Sequence, residues 1–382
     1  MWLNSLAAFC VVLAPATQTV DQESTRANEL PLSGSADSSV FNGRDGQLEA
    51  TIPRLESPEI DIDSRLDEEA WSRAAVLTGF TQYEPVEGIP GTGSTEVRVF
   101  YTSDAIYFSM QAVDSEPHLI LAHMGERDRS VFTDDWFRIM LDTFDDHRQA
   151  YVFYVNPLGI QTDGLWIEGM QQRLATTVSI DYNPDFLWES DGRVTDDGWA
   201  AEIKIPFTTL RFRQAPVQDW GIQLARGIRR KGFKQSWAPL TTNISNTLEQ
   251  SGRLVGLQGL QPRRLFEVNP VATGKRVGQD VGGVYQQETF QPDFGVNTRI
   301  GLTQNLVLDA TVNPDFSQIE TDANQITVNE RFALFFPEKR PFFLEGTEIF
   351  RTPSNLVHTR QIADPIGGGK LTGKIGAFNV GY

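Results

Sequence analysis

From residue 95 onward the chain places apolar side chains at every second position, a spacing that a strand satisfies and a helix does not. In TEVRVFY, Val97, Val99 and Tyr101 fall on one side. Thr102-Ser103-Asp104 reads as a turn, after which Ile106, Phe108, Met110 and Ala112 resume the alternation. In DDWFRIMLDTF, Phe137, Ile139 and Leu141 oppose Trp136, Arg138, Met140 and Asp142. AYVFYVN is apolar on both sides, as in a central strand covered twice. Asp196-Asp197-Gly198 signals a hairpin; Trp199, Ala201, Ile203 and Ile205 then point inward, Glu202 and Lys204 outward, and Pro206 ends the strand. One short helix is predicted, over Asp67 to Ala74, with acidic residues in its first turn and Trp71 and Ala74 on a shared buried side. Many short strands with frequent turns predict an antiparallel two-sheet β-sandwich over residues 48–262.

After Pro262 the strands lengthen and one side turns polar or glycine-rich. Val296, Ile300 and Leu302 alternate with Asn297, Arg299 and Gly301. Leu306, Leu308, Ala310 and Val312 alternate with Val307, Asp309, Thr311 and Asn313, and Leu371, Gly373 and Ile375 with Lys370, Thr372 and Lys374. Strands of about ten residues with one apolar and one hydrophilic face are the pattern of an outer-membrane β-barrel. A soluble sheet with one wet face produces the same alternation. Residues 263–382 hold five or six such strands, fewer than the roughly eight of the smallest membrane barrels. The predicted fold class is therefore all-β: an antiparallel two-sheet β-sandwich followed by the first strands of an incomplete antiparallel outer-membrane β-barrel.

Within this second half, RFALFFPEKRPFFLEG (residues 331–346) sets Phe-Phe pairs on either side of Glu338-Lys339-Arg340, with Pro337 and Pro341 excluding a regular strand or an uninterrupted helix. Its aromatics suit a lipid–water interface, or a proline-stiffened segment packed against a barrel wall or within its lumen; the second is the expectation here.

At the other end, the apolar run from Leu6 to Ala14, followed by Ala14-Pro15-Ala16, reads as a secretory signal over residues 1–16. Residues 17–47 are polar and read as a flexible linker. Cys10 is the chain's one cysteine. Cleavage after Ala16 would remove it, and with it any disulfide or thiol chemistry. The formal charge of −17, from 50 acidic and 33 basic residues, argues against nucleic acid as a partner.

A sugar site needs flat aromatic faces with carboxylates or amides that take hydroxyl hydrogen bonds. Asp134, Asp135 and Trp136 supply such groups in sequence, and Asn156 and Trp166 follow on the next strands. Trp136 serves equally well as a core side chain. Asp142, Asp145 and Asp146 cluster as calcium ligands do, without the spacing of an EF-hand, and an acidic solvated turn has the same composition. The four histidines, His118, His123, His147 and His358, lack a metal-binding spacing. There is no GxSxG, HExxH or P-loop. A glycosidase needs only two carboxylates roughly 5–10 Å apart, which 50 acidic residues do not exclude.

Two resemblances follow from particular stretches. IDIDSRLDEEAW, DDWFRIMLDTFDDHRQAYVFYVNPLG and DGWAAEIKIPFTTLRF, between Ile60 and Phe212, resemble a carbohydrate-binding family 9-like domain. VNPDFSQIETD and RFALFFPEKRPFFLEG are similar to the DUF5916 membrane-barrel domain that follows such domains in Gram-negative bacterial proteins. Together they imply an exported chain, a sandwich that binds carbohydrate or a cell-surface polymer, and a barrel in contact with outer-membrane lipid. Three functions stay open: a carbohydrate-binding or uptake protein of the outer membrane; a carbohydrate-active hydrolase acting on O-glycosyl bonds, with the sandwich as its substrate-binding module, although no stretch is left over for a catalytic domain; and a transport or structural barrel whose docking domain binds no sugar.

Overall fold

The computed structural model describes residues 39–261 apart from 129–130, 169–179, 183 and 214. Beyond these it describes 265–275, 278–281, 284–287, 290–303, 305–313, 341–344, 366–375 and 378–382, with single positions at 350, 359 and 362. The predicted signal, Cys10 and most of the predicted linker lie outside the described residues.

Two sheets form the sandwich. The smaller runs in the order β1 (Val40–Asn42), β3 (Ala75–Thr78), β6 (Thr95–Tyr101), β7 (Ala105–Val113), β13 (Gly198–Pro206) and β12 (Glu189–Val194). The larger runs β11 (Ile180–Asp181), β10 (Gln161–Ile167), β9 (Gln149–Val155), β8 (Trp136–Asp142), β14 (Val217–Ile228), β15 (Phe233–Ser236), β4 (Thr81–Glu84) and β5 (Ile89–Pro90). From β14 branches β16 (Gly252–Gln258), which pairs with β2 (Glu49–Ala50). Almost all pairings are antiparallel, as expected from the hairpin signals; β1 joins β3 and β2 joins β16 in parallel.

The alternation places the core where the sequence predicts it. Phe137, Ile139 and Leu141 of β8, Tyr151, Phe153 and Val155 of β9, and Val97, Val99, Phe108 and Met110 of the facing sheet share one buried cluster. The predicted helix is a single turn, α1 (Glu69–Ser72), with Trp71 and Ala74 buried against Phe100. Two expectations change. The segment read as linker up to residue 47 already contains β1, and the Phe41 carbonyl accepts a hydrogen bond from Trp237 Nε1 at 3.1 Å. Glu202 lies on the outward side of β13 as predicted, yet it is fully buried. The 60–74 segment covers it, and its carboxylate accepts from the Asp63 and Ser64 amides and from Trp71 Nε1 at 2.7–2.8 Å.

The third sheet runs β17 (Phe266–Lys275), β20 (Gln291–Thr303), β21 (Leu306–Val312), β22 (Gly367–Ile375) and β23 (Phe378–Gly381), all antiparallel. β18 (Gly278–Val281) and β19 (Val284–Gln287) form a separate hairpin. Among the described residues this sheet does not close into a barrel; β17 and β23 are its edges. Its two faces are reversed relative to a soluble protein. Asp309, Thr311, Lys370 and Thr372 are buried, whereas Phe266, Val268, Phe294, Leu302, Val312 and Ile375 are exposed. The buried polar face carries its own pairing: Arg299 donates to Asp309 at 2.9 Å, and Lys370 lies 3.8 Å from the same carboxylate. Of the Phe-rich segment, Pro341–Leu344 is described, as a second helical turn, α2, with proline at its favoured first position. Phe342 and Phe343 meet edge to face, and Lys370 Nζ donates to the Phe342 carbonyl at 2.6 Å. That turn therefore packs on the polar face of the sheet.

The two sandwich sheets are also joined by charge. Fully buried Arg226 of β14 donates to Thr95 Oγ1 and to the Val113 carbonyl across the sandwich, each at 3.1 Å. Asp114 lies 3.8 Å from Arg226 and is held by Arg230. Asp135 accepts from the Arg229 amide at 2.7 Å, and its second oxygen lies 3.9 Å from Arg230. Burial pushes the Asp135 carboxyl up to about 6, against the opposing pull of the Arg229 amide and the guanidinia of Arg226 and Arg230. The folded chain thus holds this proton to higher pH than the unfolded chain, whose aspartate titrates near ~4. Folding binds the extra proton between these values, so the stability it contributes is lost as pH rises from about 4 to about 6. Asp135→Asn removes this titration. Its stability relative to wild type is expected to rise by up to about 3 kcal/mol between pH 4 and pH 7 in urea denaturation; a difference that stays constant across that range would contradict the assignment.

Candidate functional site

The larger sheet is apolar on both faces, so β8 and β9 need cover on the side away from the core as well. On that outward side Trp136, Met140, Ala150, Val152, Tyr154 and Trp166 form a second buried cluster, with Val131, Ile180 and Leu248 over it. Strand register sets one line of side chains across six strands: Thr162, Tyr154, Arg138, Ala225, Ser236 and Thr81. Small Ala225 and Ser236 lie between Arg138 and Thr81, and Gly227 lies beside them on the same face. The Trp136 indole rests on Gly227 so closely that a side-chain carbon there would come within 2.3 Å of it. The hydroxyls of Thr162, Ser236 and Thr81 are buried without a hydrogen-bond partner among the described residues, a condition that buried polar groups rarely keep.

Arg138 is the centre of this line. Its guanidinium lies 5.9 Å from both the Trp136 and the Tyr154 ring centroids, within cation–π reach. The phenols of Tyr154 and Tyr83 act on it electrostatically, and its Nε is buried without a hydrogen-bond partner among the described residues. Burial disfavours its charge, but the surrounding phenols more than restore it. Burial likewise pushes the Tyr83 phenol up to about 12 and raises Tyr182. Phe132, 39 % exposed, stands at the rim and meets Tyr154 and Tyr182 edge to face at 5.7 and 5.2 Å.

The predicted site residues divide among three places. Trp136 and Trp166 share the outward cluster but are only 9 % and 6 % exposed, so they form its floor. Asp134 and Asn156 do meet, at 2.8 Å. They are occupied with structure: Asp134 accepts from the His123 amide at 2.8 Å and from its imidazole, while Asn156 holds the His123 carbonyl and the Leu158 and Ile160 amides. Burial opposes the Asp134 charge, but these bonds outweigh it and keep its carboxyl below the usual range. Asp135 points to the opposite side of the sheet, into the network with Arg230. Phe132, Arg138, Tyr83, Tyr154 and Tyr182 were not singled out from sequence. The signal available was an arginine at mid-strand on the same side as Trp136.

Of the predicted calcium ligands, Asp142 and Asp145 stay together and Asp146 is replaced by His147. Asp142 accepts from the amides of Phe144, Asp146 and His147, closing the β8–β9 turn. Asp145 pairs with Arg253 at 2.8 Å and Asp146 with Lys374 at 3.2 Å. The geometry instead brings Asp142, Asp145 and His147 together, with one ligand atom of each within 4.8 Å of the others. An imidazole in the set and a carboxylate committed to three amides fit poorly with a cation that takes six to eight oxygens. A second group, Asp63, Glu68 and Glu202, is organised around the buried Glu202 carboxylate, which already accepts two amides and an indole N–H.

Residues 267–372 match the family model of a domain of unknown function, DUF5916. No curated protein matches the chain. Among solved structures, the chain is similar to a carbohydrate-binding module of family 9 from Caldicellulosiruptor kristjanssonii in complex with cellotriose. The identity is 13 %, covering 55 % of this chain and 94 % of that one, with a TM-score of 0.36. It is also similar to a putative carbohydrate-binding protein from Bacteroides uniformis ATCC 8492, at 12 % identity over 54 % of this chain and 98 % of that one, with a TM-score of 0.40.

Proposed function

We propose that the sandwich binds carbohydrate on the outward face of its larger sheet. The observation that carries this reading is the combination there of aromatic rings with a guanidinium. Rings offer sugars an apolar face to stack on, and the guanidinium offers donors to their hydroxyls. Phe132, Tyr182 and Tyr83 are the rings with open surface, and Trp136 and Trp166 support them from below. Phe132→Ala and Tyr182→Ala are each expected to weaken binding to oligosaccharides by about tenfold, the ~1.4 kcal/mol that one lost ring contact represents. Affinity electrophoresis against a panel of soluble polysaccharides measures this; a binding affinity that neither change alters would remove the outward face from consideration.

The same proposal places the chain in the outer membrane, exported through residues 1–16, with residues 263–382 as the first part of a β-barrel. The reversed third sheet supports this: a polar face with ion pairs turned inward and an apolar face turned outward suit lipid outside and a hydrophilic lumen within. Ile300 belongs to the apolar face, opposite Phe266 and Leu308. Lysine on the lipid face costs about 2–4 kcal/mol near the bilayer midplane, so Ile300→Lys is expected to reduce the amount recovered in outer membranes. Recovery of both forms as soluble protein without detergent would rule out the membrane reading.

A further inference from the structure

We infer that the glycan taken by the outward face is acidic, carrying a carboxylate or sulfate that docks on Arg138. This rests on the carbohydrate reading above and adds the class of ligand.

Arg127 is paired with Asp163, Arg226 and Arg230 with Asp114, Arg253 with Asp145 and Arg299 with Asp309. Among the described residues no carboxylate forms an ion pair with Arg138, although it is partly buried and its Nε has no hydrogen-bond partner. Its neighbours are the rings of Trp136 and Tyr154 and the hydroxyls of Tyr83 and Tyr154. Phenols and ring faces hold a guanidinium in place without neutralising it. A partly buried cation left in that state is the group that gains most from an anion. The planar fork of arginine also matches the paired oxygens of a carboxylate or sulfate.

The rim agrees with the floor. β14 and β15, which carry Ala225, Gly227 and Ser236, are joined by a turn of consecutive basic residues, Arg229–Lys231. Arg229 is exposed and has no ion pair among the described residues, and Lys234 sits opposite Gly227. Lys231 and Lys234 do have acidic neighbours, Glu116 and Glu84. In a chain of net charge −17, an anion is repelled by most of the surface. Arg138 and Arg229 are two cations of this chain that have no carboxylate partner among the described residues.

The test is titration of the full chain, in detergent, with polygalacturonate, dextran sulfate and neutral dextran of similar length. Wild type is expected to prefer the acidic polymers by at least about tenfold at low salt, a preference that shrinks as salt screens it. Tighter binding of polygalacturonate identifies a carboxylate ligand, and tighter binding of dextran sulfate a sulfate; either supports the inference. Arg138→Gln is expected to abolish the preference, and Arg138→Lys, which keeps the charge without the fork, to retain part of it. Arg229→Gln, at an exposed position that leaves folding intact, is expected to reduce the preference about two- to threefold and to flatten its salt dependence. Equal affinity of wild type for acidic and neutral polymers would overturn the inference while leaving the carbohydrate reading in place. So would a preference unchanged by Arg229→Gln together with either Arg138 variant that folds. Binding of no polymer at all would overturn both.

Discussion

A β-strand has only two sides, and in β8 and β9 both are apolar. That constraint organises the sandwich. Phe137, Ile139 and Leu141 satisfy the inner side against the smaller sheet. Trp136, Met140 and their neighbours on β9 then leave a second apolar surface that water would otherwise meet. Burying one such aromatic or aliphatic side chain is worth about 1.5–3 kcal/mol, so the chain folds further segments over the outward face. Those segments bring Phe132, Tyr182 and Leu248 into contact with it. The outward face is covered because a doubly apolar strand pair required it, and the absence of a side chain at Gly227 lets the Trp136 indole lie flat within that cover.

The third sheet obeys the same two-sided rule with the opposite sign. Its strands are longer, and the residues that bury are Asp309, Thr311, Lys370 and Thr372. In water such a sheet would be disfavoured, with hydrophobic groups facing solvent and charged groups confined. The confined charges are paired with one another, which limits the cost of their burial. Lys370 also reaches the carbonyl of Phe342, so the phenylalanine-rich segment contributes backbone as well as rings to the polar side. This explains how two adjacent phenylalanines can sit beside a lysine: α2 turns its carbonyls, and not only its side chains, toward the sheet.

What sequence revealed and what it concealed follow from the range of the interactions. The alternation in β6 to β9 and the hairpin at Asp197-Gly198 depend on residues a few positions apart, and each was legible. So were the two faces of β20, β21 and β22. Glu202 was misjudged as exposed because its cover comes from residues more than a hundred positions earlier. Arg226 gave no sign of crossing the sandwich to Thr95 and Val113. The candidate site suffered in the same way. Trp136 and Trp166 share one sheet face, and their burial depends on Gly227, Val131 and Ile180, which no local pattern connects to them. Asp134 and Asn156 hydrogen-bond each other and share His123 as a partner, which lies outside both strands and which no local pattern connects to them. Arg138 was visible in the alternation as the companion of Trp136. What set it apart, the lack of a nearby carboxylate, is a property of the assembled sheet.

One strand links the two halves of the described chain. β8 carries Arg138 at its middle and ends at Asp142, whose carboxylate closes the turn to β9. That turn presents Phe144 and Asp146 to Lys374 of β22; the ammonium lies 4.1 Å from the Phe144 ring centroid and 3.2 Å from Asp146. A partly exposed ion pair adds only about 0–1 kcal/mol to stability. A cation held at once by a ring and a carboxylate, however, fixes direction as well as distance. The contact therefore acts chiefly on orientation, setting the end of β8 against the end of β22. Because backbone hydrogen bonds on both edges make β8 stiff, the arginine that faces the outward surface and the turn that meets the third sheet are parts of one rigid element.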